Sequence, residues 1–173
     1  MTLDQKTLSD GPIHLRRLTL DDVDEWLAGQ DDEQNRWFEF PRPAERADVE
    51  RAITNWAESW RTSGPVRHWA ICDTETGRIA GGVEVRLQDH EVNLSYVVFP
   101  GFRRRGYATR AAKLALDYAT EVLGAATAVI KVLEGNQASL AVAKRLGATV
   151  IGTSPSDTDG TFVVHRLTLN RQS

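Results

Sequence analysis

The sequence predicts one mixed α/β domain: a central, mostly antiparallel twisted sheet with one parallel β-α-β unit and helices on both faces. Three observations predict it. Apolar runs at 67–72, 78–87 and 91–99 are joined by short polar turns, which pairs consecutive strands antiparallel. An alanine-rich helical stretch at 106–123 separates the run at 91–99 from another at 126–133, and strands joined through a helix pair in parallel. The chain has 173 residues, 41% hydrophobic and 26% charged, which suits a single domain over 1–173 with its core at about 13–169.

The elements follow in order. Residues 13–20, IHLRRLTL, mix apolar and basic side chains and read as a strand. Thr19 or Asp21 then caps a short helix to about Ala28, with Val23, Trp26 and Leu27 inward. Residues 31–43 mix polar, aromatic and proline residues and read as a loop. Pro43 to about Ser63 reads as a second helix, because Val49, Ile53, Trp56, Ala57 and Trp60 recur at three- and four-residue steps. Ser63-Gly64-Pro65 ends it, and the three-strand meander follows. Pro100-Gly101 breaks the meander. In the helix from Gly106 to Leu123, Ala108, Ala111, Ala112, Ala115, Ala119 and Val122 form a stripe that can approach a sheet closely. A strand at 126–133 leads to a helix over Asn136–Leu146, stopped by Gly147 just past its end. Thr149–Gly152 and Thr161–Leu169 are the last strands, and the first ten and last three residues read as loose ends.

Composition excludes several classes. With 21 basic and 24 acidic residues the net charge is −3, which argues against a general nucleic-acid binder. No apolar stretch approaches the ~20 residues of a membrane span. The opening MTLDQKTLSDGP lacks the charged-then-apolar pattern of a secretory signal, so a cytoplasmic protein without membrane or nucleic-acid partners is expected. The single cysteine, Cys72, lies in an apolar run and reads as core, and no metal site is expected. Charge is unevenly placed. Asp21, Asp22, Asp24, Glu25, Asp31, Asp32 and Glu33 crowd the first fifth of the chain, while Arg103, Arg104, Arg105, Arg110 and Lys113 crowd one short segment. One region suits a cation and one loop an anion.

The segment Val97-Val98-Phe99-Pro100-Gly101-Phe102-Arg103-Arg104-Arg105-Gly106-Tyr107-Ala108-Thr109 carries the strongest chemical signal. An apolar strand runs into a basic, glycine-containing loop that opens a helix. The first amides of a helix have no intrahelical acceptor, and the helix dipole adds positive character at the same spot. Gly106 and Ala108 keep the loop bare, so phosphate oxygens can reach the backbone. A Walker A loop is excluded because no Lys-Ser or Lys-Thr follows Gly106, and G-x-G-x-x-G is absent.

What remains is Arg103-x-x-Gly106-x-Ala108, which resembles the acetyl-CoA loop Q/R-x-x-G-x-G/A of the GNAT N-acetyltransferase superfamily. Asn136-Gln137-Ala138-Ser139 leading into Ala143-Lys144-Arg145-Leu146-Gly147-Ala148 is similar to the N-x-x-S…K-x-G-F segment of its RimJ/RimL-like branch. Leu94-Ser95-Tyr96-Val97-Val98 and the opening Ile13–Leu18 resemble strands of that branch, and the match spans about 13–169. Ser95 stands where glycine is common, Asn93 where an acid is common, and Ala148 where phenylalanine is usual.

The resemblance implies a GNAT fold and an acetyl-CoA-dependent N-acetyltransferase. Direct attack in a ternary complex would move the acetyl group to a primary amine: a protein N-terminal amine, or a small amine such as an aminoglycoside or polyamine. A catalytically silent acyl-CoA-binding module is the alternative, and a homodimer is left open. It further implies that Arg103, Arg104, Arg105, Gly106, Tyr107, Ala108 and Thr109 hold the diphosphate, and that Tyr96, Val97 and Val98 offer a strand edge to the pantetheine arm. The N–H near Val98 would polarise the acetyl carbonyl. Asn136 would reach the pantetheine, and Ser139 would protonate the leaving thiolate directly or through water.

The base comes from the residues themselves. Alternation places Val83 and Val85 on one face of their strand and Glu84 on the other, toward an acceptor cleft. Glu91, His68, Asp89 and His90 are further candidates. An α-amino group with a pKa of about 7.7–8.0 is roughly a tenth neutral at pH 7, whereas a lysine-like amine at about 10.4 is neutral only at a few parts in ten thousand. The first acceptor tolerates a weak base, and the second needs a tuned one. By resemblance, the first two helices and their connection wall the acceptor cleft. There Asp31, Asp32 and Glu33 offer carboxylates to an ammonium group, and Trp26, Trp37, Phe38 and Phe40 offer rings to the body that carries it. Trp37, Phe40, Glu84 and Glu91 are the expected acceptor contacts.

Overall fold

A computed structural model describes residues 8–171. Its strands are β1 (Leu8–Asp10), β2 (Ile13–Arg16), β3 (Val66–Asp73), β4 (Ile79–Gln88), β5 (Glu91–Val98), β6 (Thr127–Leu133), β7 (Thr149–Pro155) and β8 (Thr161–Thr168). Its helices are α1 (Val23–Gly29), α2 (Asp32–Trp37), α3 (Arg46–Arg61), α4 (Tyr107–Glu121) and α5 (Gln137–Arg145). The strands form one eight-stranded sheet in the order β1-β2-β3-β4-β5-β6-β8-β7. Each neighbouring pair is antiparallel except β5 and β6, which α4 joins as the expected parallel crossover.

Three expectations need correction. The first strand ends at Arg16, because Thr19 N–H donates to Asp22 Oδ2 at 2.8 Å and Asp22 N–H to Thr19 O, which turns the chain into a short 3-10 segment before α1. Residues 31–43 are not all loop: Asp31 Oδ1 accepts from the Gln34 N–H at 3.0 Å and caps α2. Leu8–Asp10, read as a loose end, form β1 against β2, while residues 1–7 and 172–173 lie outside the described part.

The sheet is covered on both faces. Ala111, Ala112, Ala115 and Ala119 of α4 are fully buried against Ile71, Val83, Val85 and Val92, so the alanine stripe brings helix and sheet close. Val122, expected in that stripe, lies past the helix end and is exposed. On the opposite face α1 and α3 contribute Val23, Trp26, Val49 and Ile53, packed on Ala70, Cys72, Ile79 and Phe99. Cys72 is buried there, as its apolar setting predicts. Burying each of the larger side chains contributes about 1.5–3 kcal/mol, so both layers hold the sheet rigid.

One irregularity of the sheet matters for function. β5 pairs with β4 along its whole length, and β6 with β8 likewise. β5 and β6 share only three register positions: Glu91 with Thr127, Val92 with Ala128 and Asn93 with Val129. Beyond Asn93 the two strands splay. The β6-facing edge of Leu94–Val98 therefore opens into a wedge, directly before the basic loop.

Candidate active site

The loop after β5 has the backbone the sequence asks for. Gly106 takes a left-handed conformation (φ 76°) at the N-terminal cap of α4, and a Cβ placed there would meet no atom within 4 Å. Arg104 is also left-handed (φ 64°). The first amide with an acceptor is that of Arg110, which donates to Gly106 O at 3.2 Å. Among the described residues, none accepts from the N–H groups of Arg104 through Thr109. Six consecutive donors thus sit at a helix N-terminus, where backbone N–H groups and the dipole both favour an anion. The Thr109 hydroxyl is buried without a partner beside them.

The wedge extends this surface. Phe99 N–H donates to Ala80 O at 2.8 Å, so alternation turns the Val97 and Ser95 amides toward β4 and those of Val98 and Tyr96 toward the wedge. Arg103 Nε donates to Val98 O at 2.9 Å, leaving the Val98 N–H on the open edge. The Tyr96 hydroxyl crosses to α5, 2.9 Å from Ser139 Oγ and 3.2 Å from Ser139 O. Burial pushes the Tyr96 phenol up, so it holds its proton at neutral pH. Asn136 Oδ1 accepts from the Ser139 N–H at 3.2 Å, which makes it the cap of α5. One small cluster thus holds two hydroxyls and an amide beside the wedge.

Not all of the predicted loop side chains are available to a ligand. The Arg103 guanidinium is held by Asp31 (2.9 and 3.0 Å) and Glu33 (2.8 Å), so its side chain ties the loop to α2 instead of reaching an anion. Tyr107 is buried, and its hydroxyl donates to Asp73 Oδ2 at 2.5 Å, leaving only its amide to the loop. Arg104 and Arg105 stay exposed at the loop, Arg105 with its guanidinium 5.5 Å from the Phe102 ring.

On the α1/α3 face a cavity of about 480 Å³ lies over β4 and β5. Its floor is Gly82, Glu84, Ser95 and Val97, and its walls include Trp26, Gln34, Phe38, Phe40 and Trp56. A Cβ on Gly82 would stand 2.5 Å from the Trp26 ring, so only glycine lets that ring lie against the strand. Glu84 faces the cavity as alternation predicts, with Val83 and Val85 in the opposite core layer. Its Oε2 accepts from Trp56 Nε1 at 3.1 Å, and Arg86 stands 3.5 Å from Oε1. Burial pushes its carboxyl above the ordinary range, which the Arg86 charge and the Trp56 hydrogen bond partly oppose. A carboxylate raised toward neutral pH suits a base.

His68 reaches the same cavity, but its ring stacks on Trp56 with centroids 3.5 Å apart, and burial pushes it down to about 3. It is neutral at working pH and a weak base beside Glu84. Glu91 lies outside the cavity wall. It begins β5, at the end away from the cavity, and its Oε2 accepts from Thr127 and Arg166. Asp89 and His90 lie in the adjoining exposed turn, also outside the cavity wall. Trp37 is also outside the wall: its Nε1 faces Glu33 at 3.4 Å, and its ring lies beside Gly135 near the start of α5. Phe40 is in the wall, joined by Phe38.

Residues 13–149 match the family model described as an acetyltransferase (GNAT) domain. The chain belongs to the GNAT acetyltransferase family. A spermidine N(1)-acetyltransferase from Escherichia coli is 29% identical over 119 residues, 67% of this chain and 60% of that protein, so the likeness spans less than two thirds of the relative. Among solved structures, RimL, a ribosomal-protein alpha-N acetyltransferase in complex with coenzyme A, superposes with a TM-score of 0.84 at 13% identity, covering 95% of this chain and 98% of that one. A microcin self immunity acetyltransferase in complex with acetyl-CoA and AMP gives a TM-score of 0.78 at 18% identity over 94% and 98%. At these identities the structural likeness speaks for the GNAT fold.

Three features of this GNAT domain escape a reading by motif. Trp56 reads from its spacing as a helix-face apolar residue, yet its indole N–H donates to Glu84. Gln30 and Gln34 line the cavity and carry no motif. The Tyr96–Ser139 contact joins β5 to α5 across 43 residues, a separation no local spacing reveals.

Proposed function

We propose that the chain transfers the acetyl group of acetyl-CoA to a primary amine by direct attack in a ternary complex. The observation that carries this reading is the row of unpartnered amides from Arg104 to Thr109, continuous with the open edge at Tyr96 and Val98. Such a surface fits a diphosphate followed by an extended amide-bearing arm, and the space around Gly106 admits the phosphates. When bound, acetyl-CoA supplies an acetyl thioester.

The chain's own residues do the rest. Arg104–Thr109 amides hold the diphosphate, and Arg104 and Arg105 add charge. The Val98 N–H, aimed into the wedge, is the donor for the acetyl oxygen, a role worth roughly 2.7–4 kcal/mol in other oxyanion sites. Glu84 takes a proton from the ammonium form of the acceptor, directly or through one water. The Tyr96 hydroxyl, protonated and bonded to Ser139, is the proton source for the departing thiolate, with Ser139 as its relay. Asn136 orients the pair by capping α5 and has its amide NH2 left for the pantetheine arm.

The test is thiol release from acetyl-CoA across a panel of amines, with acetyl-CoA affinity measured by calorimetry. Binding with amine-dependent release supports the transferase. Binding without release on any amine favours the silent acyl-CoA-binding module.

A further inference from the structure

Val98 lies beyond the last register position that β5 shares with β6, and its N–H and C=O both lie on the edge that faces away from β4. A continued parallel ladder would meet that carbonyl with an amide. Here a side chain meets it. The chain leaves β5, turns through the 3-10 segment Pro100–Phe102, where Phe102 N–H donates to Phe99 O at 2.9 Å, and brings Arg103 back to the strand. Arg103 Nε then donates to Val98 O at 2.9 Å. Phe99 N–H donates to Ala80 O at 2.8 Å, so the peptide between Val98 and Phe99 is fixed from both sides.

The far side of the guanidinium is fixed as well. Its two terminal nitrogens meet Asp31 as a fork, at 2.9 and 3.0 Å, and Nη1 also donates to Glu33 Oε2 at 2.8 Å. Arg103 holds the Asp31 carboxyl below the usual carboxylate range, so the pair stays ionised at neutral pH. Asp31 is itself the cap of α2, accepting from the Gln34 N–H at 3.0 Å. Gln34 within α2 and Phe38 at its end line the acceptor cavity. One planar group thus spans from the carbonyl of Val98 to the start of a helix that walls the cavity. Arg104 and Arg105 are the exposed charges of the loop, and the Arg104–Thr109 amides can hold an anion without the Arg103 side chain.

We propose that Arg103 is a positioning residue for the transfer, holding Val98, and with it the amide aimed at the acetyl oxygen, in register with α2. This rests on the reading of the Val98 N–H as that donor. The arrangement uses what distinguishes arginine. Its rigid fork sets direction as well as charge, whereas a lysine offers a point charge with no fixed angles. A donor that shifts slightly loses its hold on charge that develops only in the transition state. Arg103 therefore acts on kcat and leaves coenzyme A affinity nearly unchanged, although its place in the loop motif suggests a phosphate ligand.

The test uses Arg103→Lys, Arg103→Ala and Asp31→Asn, the last of which keeps a capping side chain on α2. Turnover is read as thiol release from acetyl-CoA with spermidine, kanamycin and L-phenylalaninamide, and coenzyme A affinity by calorimetry. Both Arg103 variants should lose about tenfold in kcat, with coenzyme A affinity within about twofold of the wild type. Asp31→Asn should lose severalfold, and adding it to Arg103→Ala should lower kcat no further. A second readout needs no acceptor. In 15N-labelled Arg103→Lys the Phe99 amide should exchange with solvent about tenfold faster relative to the Ser95 amide of the same strand, a local change that general destabilisation would not give. Coenzyme A affinity lost tenfold with kcat unchanged would make Arg103 a cofactor ligand and overturn the proposal. Full kcat in Arg103→Lys overturns it too, because charge alone would then suffice. Wild-type protein that binds coenzyme A yet releases thiol with none of the three amines counts against the transferase reading. The exchange measurement then decides by itself: faster Phe99 exchange upholds the clamp on Val98, and unchanged exchange overturns it.

Discussion

The two halves of the proposed site are built from different materials. The donor half, from the β5 edge to the first turn of α4, is mostly backbone: amides left over by a helix start and a splayed strand. The acceptor half is all side chains, gathered from α1, α2, α3, β3, β4 and β5. A backbone site depends on a turn and a glycine. A side-chain site depends on which residues the fold brings together. The first therefore tolerates divergence outside a short motif, while the second can change its ligand by a few substitutions without disturbing the sheet.

The largest effect that sharpens this contrast is expected at the donor half. Gly106→Val places a branched Cβ among the amides and forces a left-handed residue, so acetyl-CoA affinity should fall about a hundredfold or more, some 2.7 kcal/mol. The cavity and both core layers lie elsewhere, so the far-ultraviolet circular dichroism should be unchanged. Wild-type affinity measured by calorimetry would break the distinction between the two halves.

Next comes Glu84→Gln, expected to lower kcat about a hundredfold, in the range of a general base, with acetyl-CoA affinity intact. Its raised pKa sets the shape of the profile. In the wild type, kcat/KM falls with pH as Glu84 gains its proton. In the variant that limb is lost, and the rate follows the acceptor amine alone. Coincident pH profiles would remove Glu84 from the reaction.

How much of this was legible follows from the same contrast. The loop, its glycine and the strand before it are contiguous, so their chemistry showed in a dozen residues from Val97 to Thr109. Alternation along Val83-Glu84-Val85 was enough to turn Glu84 toward the cleft. Helix α2 stayed hidden because its start rests on one side-chain cap, Asp31 to Gln34, within a stretch rich in proline and aromatics. Arg103 matched the phosphate motif, but its partners lie about seventy residues away. The acidic run reads as bait for a cation for the same reason: only the fold shows that arginines hold Asp22, Asp24, Asp31 and Glu33. Glu91 and Trp37 suit the acceptor in kind but lie outside the cavity wall, one at the far end of its strand and one beside Gly135.

A smaller effect is expected from His68, which is buried neutral. Its folded pKa of about 3 lies below the ordinary 6.5, so the unfolded chain binds the extra proton first. Stability is therefore complete above about pH 6.5 and declines as pH falls toward 3, by about 2 kcal/mol at pH 5. His68→Phe keeps a ring against Trp56 and should flatten the melting temperature between pH 7 and 5. An unchanged acid slope would place the sensitivity elsewhere. The smallest effect is at the joint between the halves. Arg103→Ala should cost about 1 kcal/mol, since the pair is only partly buried, and should free Asp31 and Glu33. Thermal denaturation measures that loss, and an unchanged melting temperature would contradict a stabilising role for the pair.

The most direct measurement follows the backbone amides themselves. Titration of the 15N-labelled protein with coenzyme A should shift the resonances of Arg104 through Thr109, together with those of Tyr96 and Val98, in one saturable step. Saturable binding that leaves these amides unmoved while others shift would contradict the account.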